Sequence, residues 1–207
     1  MKTETVQRNQ LSAYITKYDF DVFGTLTFDE KILRKEIWKQ MNEEHEYNGK
    51  SMTLKGLVGW EELKREIEIK ALKRYWNKLD RKYFGNNAHR NNKRIQRFNV
   101  VQIGEKGTNT HIHFATLCPT NNIEKFKGQV RKVWNNEIKT SGLYEVKTIY
   151  DKKRLCDYLT HEFWKLGNDT IELQTSVLHT KTKHDNNTQN DRNNYKKLWM
   201  KHYKGKW

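Results

Sequence analysis

Apolar residues recur along the chain at two spacings, and each spacing predicts one kind of element. Alternation with a period of two, or a short β-prone apolar run, predicts strands at residues 19–28, 98–104, 111–117 and 143–149. Apolar residues three and four positions apart predict helices at residues 31–42, 60–84, 123–138 and 151–166. The stretch from 43 to 59 is polar and contains glycines, and we interpret it as a loop.

The two central strands are separated by a short segment that contains Gly107 and Asn109, which is typical of a hairpin. Because strands joined by a hairpin pair antiparallel, the pattern predicts an α+β fold: a central antiparallel sheet with flanking helices. We assign this domain to residues 18–166. Residues 1–17 are interpreted as a polar N-terminal lead-in, and residues 167–207, rich in Asn, Thr and Lys, as a C-terminal extension.

The charge of the chain favours a polyanionic partner over a small neutral substrate. The sequence has 40 Lys and Arg against 25 Asp and Glu, a net charge of +15. Residues 64–97 alone hold twelve basic and three acidic residues, which is too one-sided for pairing along a helix. A solvated helix face is the alternative to phosphate contact. The residues that we predict to contact DNA are Lys73, Arg74, Arg81, Arg94, Arg97 and, on the last helix, Lys165.

Aromatic residues are plentiful, with 7 Trp, 10 Tyr and 8 Phe, and single-stranded nucleic acid uses such rings for stacking. Most of them are expected in the core. Cys118 and Cys156 form no disulfide framework, no apolar signal region opens the sequence, and no stretch reaches the about 18 apolar residues of a membrane span. We therefore expect an intracellular protein with no membrane partner.

Two histidines in the third predicted strand form the clearest candidate for a chemical site. His111 and His113 lie two residues apart, so in a strand their side chains point to the same side. If residues 106–110 make the turn, Glu105 lies opposite His111 and faces the same way. Two imidazoles and a carboxylate are a ligand set for a divalent cation. A register shift of one residue would turn Glu105 to the other face, and a structural role for both histidines is the alternative.

A metal that polarises a phosphate needs an attacking group, and the last predicted helix offers one. Tyr158, His161 and Glu162 lie three and four residues apart and share a helix face. A phenol has a pKa of about 10, and cationic neighbours favour its ionised form. Amphipathic packing is the alternative role for Tyr158. Tyr150, followed three residues later by Lys153, is a rival candidate for the nucleophile.

This set of motifs resembles the HUH endonuclease superfamily, which includes the initiators of rolling-circle replication. Phe23-Gly-Thr-Leu-Thr-Phe28 is similar to the first motif of the family, and His111-Ile-His113 to the histidine-hydrophobe-histidine motif. Glu105 stands in the place of the usual third metal ligand. Tyr158 resembles the nucleophile, with His161 where many members carry a lysine.

The resemblance implies a fold of the HUH or RRM-like type and a specific chemistry. It implies that Mg²⁺ or Mn²⁺ is held by Glu105, His111 and His113, and that Tyr158 cleaves single-stranded DNA through a 5′-phosphotyrosine link. His161 would assist at the phosphate or move the proton of the phenol. The expected protein is a single-tyrosine initiator of a plasmid or a single-stranded DNA virus, acting on an origin hairpin. The sequence contains no phosphate-binding loop of the G-x-x-x-x-G-K-[ST] type, so a separate helicase is expected.

Three other functions are compatible with these residues. A transposase or a relaxase of the same superfamily would use the same motifs. A nucleic-acid-binding module without catalysis would need only the basic helix and the aromatic residues. A zinc hydrolase could use two histidines and a glutamate, although no H-E-x-x-H motif is present.

Overall fold

The elements predicted between residues 19 and 160 form in the predicted order. The computed structural model describes residues 2–47, 50–54, 58–103, 110–160 and 171–178. The helices of this part are α1 (Lys2–Ile15), α2 (Glu30–Asn42), α3 (Trp60–Phe84), α4 (Asn87–Arg90), α5 (Ile123–Glu137) and α6 (Lys152–Thr160). The strands are β1 (Val22–Phe28), β2 (Glu44–Tyr47), β3 (Lys50–Thr53), β4 (Arg97–Ile103), β5 (Thr110–Thr116) and β6 (Ser141–Thr148).

Four strands pair into one antiparallel sheet in the order β4-β5-β1-β6. The predicted α+β class with a central antiparallel sheet is therefore confirmed. The segment predicted as a loop over residues 43–59 contains a separate antiparallel hairpin, β2 with β3. Its short strands lack a clear apolar alternation, which is why the sequence pattern missed them. No helix among the described residues has the length and apolar character needed to cross a bilayer.

The sheet has one fully covered face, which we call the core face and which carries Val22, Leu26, Ile112 and Phe114. Helices α2, α3 and α5 pack on it, and aromatic rings meet there edge to face. The centroids of Trp76 and Phe114 are 5.4 Å apart. Because α3 has apolar residues along one side over its whole length, it buries that side and leaves its basic side to solvent.

Gly24 shows how tightly the core face is packed. It is buried in β1 between the partner strands, and a Cβ at this position would overlap the ring of Phe114. An alanine at this position therefore cannot fit unless Phe114 moves. This close approach gives a structural reason for the glycine within the Phe23–Phe28 motif.

The opposite face, which we call the histidine face, carries Thr25, Thr27, His111 and His113. A second apolar cluster covers part of it, with members on α1, α6, β4 and β5. Helix α1 lies within the lead-in predicted over residues 1–17. Its sparse apolar residues do not predict a helix on their own, and two of them, Leu11 and Ile15, are buried in the cluster that α1 shares with α6.

Part of the predicted C-terminal extension lies against the outer edge of the sheet. Residues 171–178 run beside β4, with isolated antiparallel bridges from Arg97 to Val177 and from Val100 to Ile171. The amide nitrogen of Asn99 donates to the hydroxyl of Ser176 at 2.9 Å. This segment pairs backbone groups that would otherwise be open at an edge strand.

Candidate active site

The register of the sheet places the two histidines side by side on the histidine face. His113 pairs with Thr25 of β1 and with Val100 of β4, and His111 pairs with Thr27. Residues paired across an antiparallel ladder point to the same side. The prediction that the two histidines share one face of a strand is therefore confirmed. Their ring centroids are 6.3 Å apart.

His113 is held by a hydrogen bond from within the sheet. Its side chain is buried, with 2% of the residue exposed, and its Nδ1 lies 2.8 Å from the hydroxyl oxygen of Thr25. The ring also stacks on Phe23, with an interplanar angle of 12°. A ring fixed in this way has a defined orientation, which is a requirement for a metal-binding imidazole.

Nδ1 of His111 is buried and has no hydrogen-bond partner among the described residues. A buried polar atom without a partner carries a desolvation cost of about 1–3 kcal/mol. Coordination of a cation would satisfy a nitrogen of this kind. The unpartnered nitrogen is compatible with His111 as a metal ligand, and that role stays a prediction.

Tyr158 lies directly beside these histidines. Its ring stands edge-on to His113 with the centroids 5.0 Å apart, and edge-on to Phe23 at 5.3 Å. It is nevertheless 45% exposed, so a substrate can approach the phenol. The predicted juxtaposition of Tyr158 and the histidine pair is present in the structure.

The local sequence explains why Tyr158 faces the site. The carboxylate of Asp151 accepts hydrogen bonds from the amides of Lys153 and Arg154 and so caps the start of α6. Leu155 and Leu159 are buried under the helix. These contacts fix the rotation of α6 and leave Tyr158 at the margin of the buried surface.

The predicted position of Glu105 opposite His111 is wrong. The ladder pairs Gln102 with His111 and Ile103 with Thr110, so Thr110 belongs to β5 and residues 106–110 do not form the turn. Glycine and asparagine in the connection indicate a turn but do not set its length. The register is set instead by the packing of β4 and β5 on both faces of the sheet. Glu105 itself lies outside the described residues, and its role as a metal ligand stays a prediction.

Gln102 takes the place that was predicted for Glu105. It is buried on the histidine face opposite His111, and its amide nitrogen donates to the backbone carbonyl of Tyr158 at 3.4 Å. The amide oxygen of a glutamine can ligate a hard divalent cation. Gln102 therefore links α6 to the histidine strand and adds a candidate oxygen ligand that sequence reasoning missed. No local sequence signal marks it, because the register that places it opposite His111 depends on the packing of both strands.

Together, the described residues supply two imidazoles and one amide oxygen for a metal. They contain no cluster of three His, Cys, Asp or Glu side chains that could hold an ion. Glu145 lies on the same face, one strand beyond Thr25, but its carboxylate pairs with Lys147 at 2.7 Å. This mixed nitrogen and oxygen donor set is compatible with Mn²⁺ once a further oxygen ligand and water are added, whereas Mg²⁺ prefers oxygen ligands alone.

The histidine face becomes progressively more open from β4 to β6. The residues of β4 and β5 beside the site are mostly buried, those of β1 are half-buried, and those of β6 are exposed. Leu143 of β6 is 82% exposed beside Thr27, whose hydroxyl donates to its carbonyl. The candidate site thus lies at the margin of the surface that α1 and α6 cover. Next to it, β1 and β6 form an exposed part of the histidine face, which we call the open floor.

Three further predicted site residues are His161, Lys165 and Tyr150. His161 and Lys165 lie outside the described residues, so their roles stay predictions. Tyr150, the rival nucleophile, is 94% exposed in the connection between β6 and α6. It has no place in the ring cluster that joins Tyr158, Phe23 and His113.

The basic residues of α3 lie on the other side of the sheet from Tyr158. Arg74 and Arg81 are exposed, and the ammonium of Lys73 donates to the side-chain oxygen of Gln174 at 2.6 Å. These residues belong to the layer on the core face. Their predicted contact with DNA stays a prediction, but such a contact would be away from the histidines.

Arg97 does not fit its predicted role as a DNA contact. It is 4% exposed, and its guanidinium bonds both carboxylate oxygens of Asp80, at 3.0 and 3.1 Å. Burial lowers the pKa of Arg97 to about 10, although the carboxylate of Asp80 opposes this effect. Arg94, also predicted to contact DNA, bonds the same carboxylate at 3.2 Å and is partly buried. Counting charges along a sequence cannot reveal such a buried partner.

No protein-family model, no curated protein and no solved structure matched this chain.

Proposed function

We propose that this protein is a metal-dependent tyrosine endonuclease of the HUH type that nicks and rejoins single-stranded DNA. The observation that carries the proposal is the contact of the Tyr158 ring with His113, on the sheet face that also presents His111. Phosphoryl transfer to a tyrosine requires the nucleophile to lie close to a bound metal ion. The ring contact places Tyr158 next to His113, one of the two candidate metal ligands. The biological role that we propose is initiation of rolling-circle replication for a plasmid or a single-stranded DNA virus.

The proposed reaction forms one bond and breaks one. The phenolic oxygen of Tyr158 attacks the phosphorus of a phosphodiester, and the bond from phosphorus to the 3′ oxygen breaks. The phenol loses its proton to a base, for which His161 is the predicted candidate, and the leaving 3′ oxygen gains a proton. The products are a free 3′-hydroxyl and a 5′-phosphotyrosine. Attack by a 3′-hydroxyl on this link reverses the step, so rejoining needs no nucleotide hydrolysis.

His111 and His113 would hold the divalent ion, with Gln102 or Glu105 as the oxygen ligand. When bound, Mg²⁺ or Mn²⁺ would polarise the phosphate and stabilise its developing charge. Thr25 fixes the ring of His113, and Phe23 supports the rings of both His113 and Tyr158. These contacts hold the reacting side chain close to the ligands before substrate arrives, which lowers the entropic cost of the reaction.

The open floor beside the site supports a single-stranded substrate. Leu143 and Tyr150 are exposed at its margins, and Lys147 lies on the same face. Apolar and aromatic surfaces on which bases pack, with cations for the phosphates, are typical of single-strand binding. A separate helicase and an intracellular location belong to the same proposal.

The proposal is tested by mixing the protein with labelled single-stranded DNA and Mn²⁺. We expect an adduct that survives denaturing gel electrophoresis, that is absent in Tyr158→Phe and that persists in Tyr150→Phe. The first variant keeps the ring contact with His113, so a loss of adduct reports the hydroxyl alone. Loss of the adduct in Tyr150→Phe but not in Tyr158→Phe would move the nucleophile to Tyr150. Sequencing of the nicked ends on origin, transposon-end and transfer-origin DNA separates an initiator from a transposase or a relaxase.

A nucleic-acid-binding module without catalysis is the second candidate, and the net charge of +15 favours it because binding alone accounts for that charge. This function predicts tight binding of DNA with no adduct across a library of hairpin substrates.

A zinc hydrolase, in contrast, would stay active in both tyrosine variants and lose activity with a zinc-selective chelator.

A further inference from the structure

We propose that a basic cleft at the C-terminal end of α3 binds the phosphate backbone of double-stranded DNA. The cleft has a volume of about 540 Å³ and is lined by Arg81, Gly85, Asn86, His89 and Arg90. The proposal goes beyond the nicking of single strands and does not depend on it.

A sharp change of chain direction builds this cleft. Helix α3 ends at Gly85, which has a φ of +54° that few residues other than glycine adopt, and its amide donates to the carbonyl of Arg81 at 2.8 Å. The short helix α4 follows at once, and the amide of Arg90 donates to the carbonyl of Asn86 at 2.9 Å. The turn thus places Arg81 and Arg90 in the walls of one depression.

The charge of this region is not neutralised by nearby acids in the sequence. From residue 81 to residue 104 the chain has no Asp or Glu. Asp80, just before this stretch, is fully buried and bonded to Arg94 and Arg97. Arg81, His89 and Arg90 are exposed, so their donors face solvent. Guanidinium groups in such a setting are suited to phosphate oxygens.

The chemistry of the lining favours a duplex over a single strand. Single strands are bound by stacking on aromatic rings, and among the described residues that line the cleft only His89 carries a ring. Duplex backbones are bound mainly through the charge of Arg and Lys and through hydrogen bonds from Arg, Lys and Asn side chains to phosphate oxygens. The stacking surfaces lie instead on the histidine face, around Tyr158 and Phe23.

The cleft and Tyr158 lie on opposite sides of the sheet, because α3 packs on the core face and the ring of Tyr158 contacts His113 and Phe23 on the histidine face. Asp80, near the end of α3, contacts Arg97, which belongs to the first pair of the β4–β5 ladder. Glu68, earlier in α3, bonds Thr110, which belongs to the last pair of this ladder and is next to His111. Six residues of strand span about 20 Å. A duplex in the cleft would therefore lie beyond the end of the sheet distant from His111 and on the core-face side, leaving the histidine face open.

The test measures binding of the full chain, without metal, to a blunt DNA duplex of about 20 base pairs at several salt concentrations. The variant is Arg81→Ala with Arg90→Ala. The control with the same change of net charge is Lys35→Ala with Lys39→Ala, two exposed residues of α2. We expect the cleft variant to bind duplex at least about tenfold more weakly and to lose about 2 from the slope of log K against log salt. The control should change neither value.

Equal losses of duplex affinity in the two variants would mean that net charge alone causes the effect, and this result would overturn the proposal. So would unchanged duplex binding, or a loss confined to single-stranded DNA. Arg81→Gln alone, which removes one charge and keeps the helix, should give about half of the change in slope. The Tyr158→Phe variant should bind duplex normally, so a failure of the proposed nuclease would leave this result intact.

Discussion

The hydroxyl of Thr25 lies 2.8 Å from Nδ1 of His113, on the neighbouring strand and in the same row of the sheet. The next threonine, Thr27, pairs with the next histidine of the face, but its hydroxyl donates to the carbonyl of Leu143. The two threonines of the Phe23–Phe28 motif therefore have different partners: Thr25 bonds a histidine ring, and Thr27 bonds the backbone of β6. If Nδ1 of His113 carries the proton and donates to Thr25, Nε2 is the ring nitrogen that a metal ion would use.

We expect Thr25→Val to weaken the binding of Mn²⁺ by about 10- to 100-fold, because the ring of His113 loses the partner that fixes its tautomer. Calorimetric titration with Mn²⁺ measures the affinity. The ¹⁵N chemical shifts of the His113 ring report the tautomer in the metal-free protein, where loss of the hydroxyl should mix the two forms.

Thr25→Ser keeps the hydroxyl and should restore both values. Thr27→Val is the matched control, since it removes from the same strand a hydroxyl that bonds the carbonyl of Leu143 and not a histidine ring. A purely structural role for Thr25 would leave the tautomer and the Mn²⁺ affinity unchanged while lowering stability. That result would remove Thr25 from the site.

Gln102 and Glu105 compete for the role of oxygen ligand. The ladder places Gln102 opposite His111, so we expect Gln102→Leu to lower the affinity for Mn²⁺ by at least about tenfold. Gln102→Glu keeps an oxygen at this point and should retain binding. The same titration on Glu105→Gln decides between the two residues. Normal affinity in Gln102→Leu, together with a loss in Glu105→Gln, would return the role to Glu105.

The helices and strands could be predicted from the sequence where the local spacing of apolar residues determines them. Helix α3 begins and ends where it was predicted, because its apolar residues repeat regularly and Gly85 stops it. The shared face of His111 and His113 follows from the period of a strand, whereas the face predicted for Tyr158 with His161 and Glu162 reaches beyond the described residues and stays a prediction. These inferences need no knowledge of distant contacts.

The remaining features depend on partners that are far apart in the sequence. The register that places Gln102 opposite His111 is set by packing on both sides of the sheet, and a turn signal alone leaves it undetermined. Likewise, the buried pairing of Arg97 with Asp80 requires the docking of α3 on β4. Neither the ladder nor this ion pair has a signature within a window of a few residues.

Glu68 makes stability depend on pH. Its carboxyl is buried in α3, one oxygen has no partner, and burial raises its pKa from 4.5 to about 7 against the opposing effects of Lys64 and a hydrogen bond with Thr110. Between these pH values the folded protein holds a proton that the unfolded chain has lost, so the free energy of unfolding falls as pH rises. At pH 8 the charged form costs at most about 3 kcal/mol.

Glu68→Gln removes this titration. We expect the variant to be more stable than the parent at pH 8 and no more stable at pH 4.5, as measured by urea unfolding at both pH values. Glu66→Gln on the exposed side of the same helix is the control and should show no such difference between the two pH values. A constant effect of Glu68→Gln across this range would show that the buried carboxyl does not titrate there.

The carboxylate of Asp80 is the only acid that bonds Arg94 and Arg97 among the described residues, and its three hydrogen bonds with Arg97 and Ile95 are all buried. Asp80→Asn would leave the buried guanidinium of Arg97 without a counter-charge, and we expect a loss of about 3–5 kcal/mol in the free energy of unfolding. Urea denaturation measures this loss. The control is Glu137→Gln, which breaks a half-exposed pair with Lys78 and should cost under about 1 kcal/mol. Similar losses in the two variants would mean that Arg97 reaches solvent, and Arg97 would then return to the residues available to bind DNA.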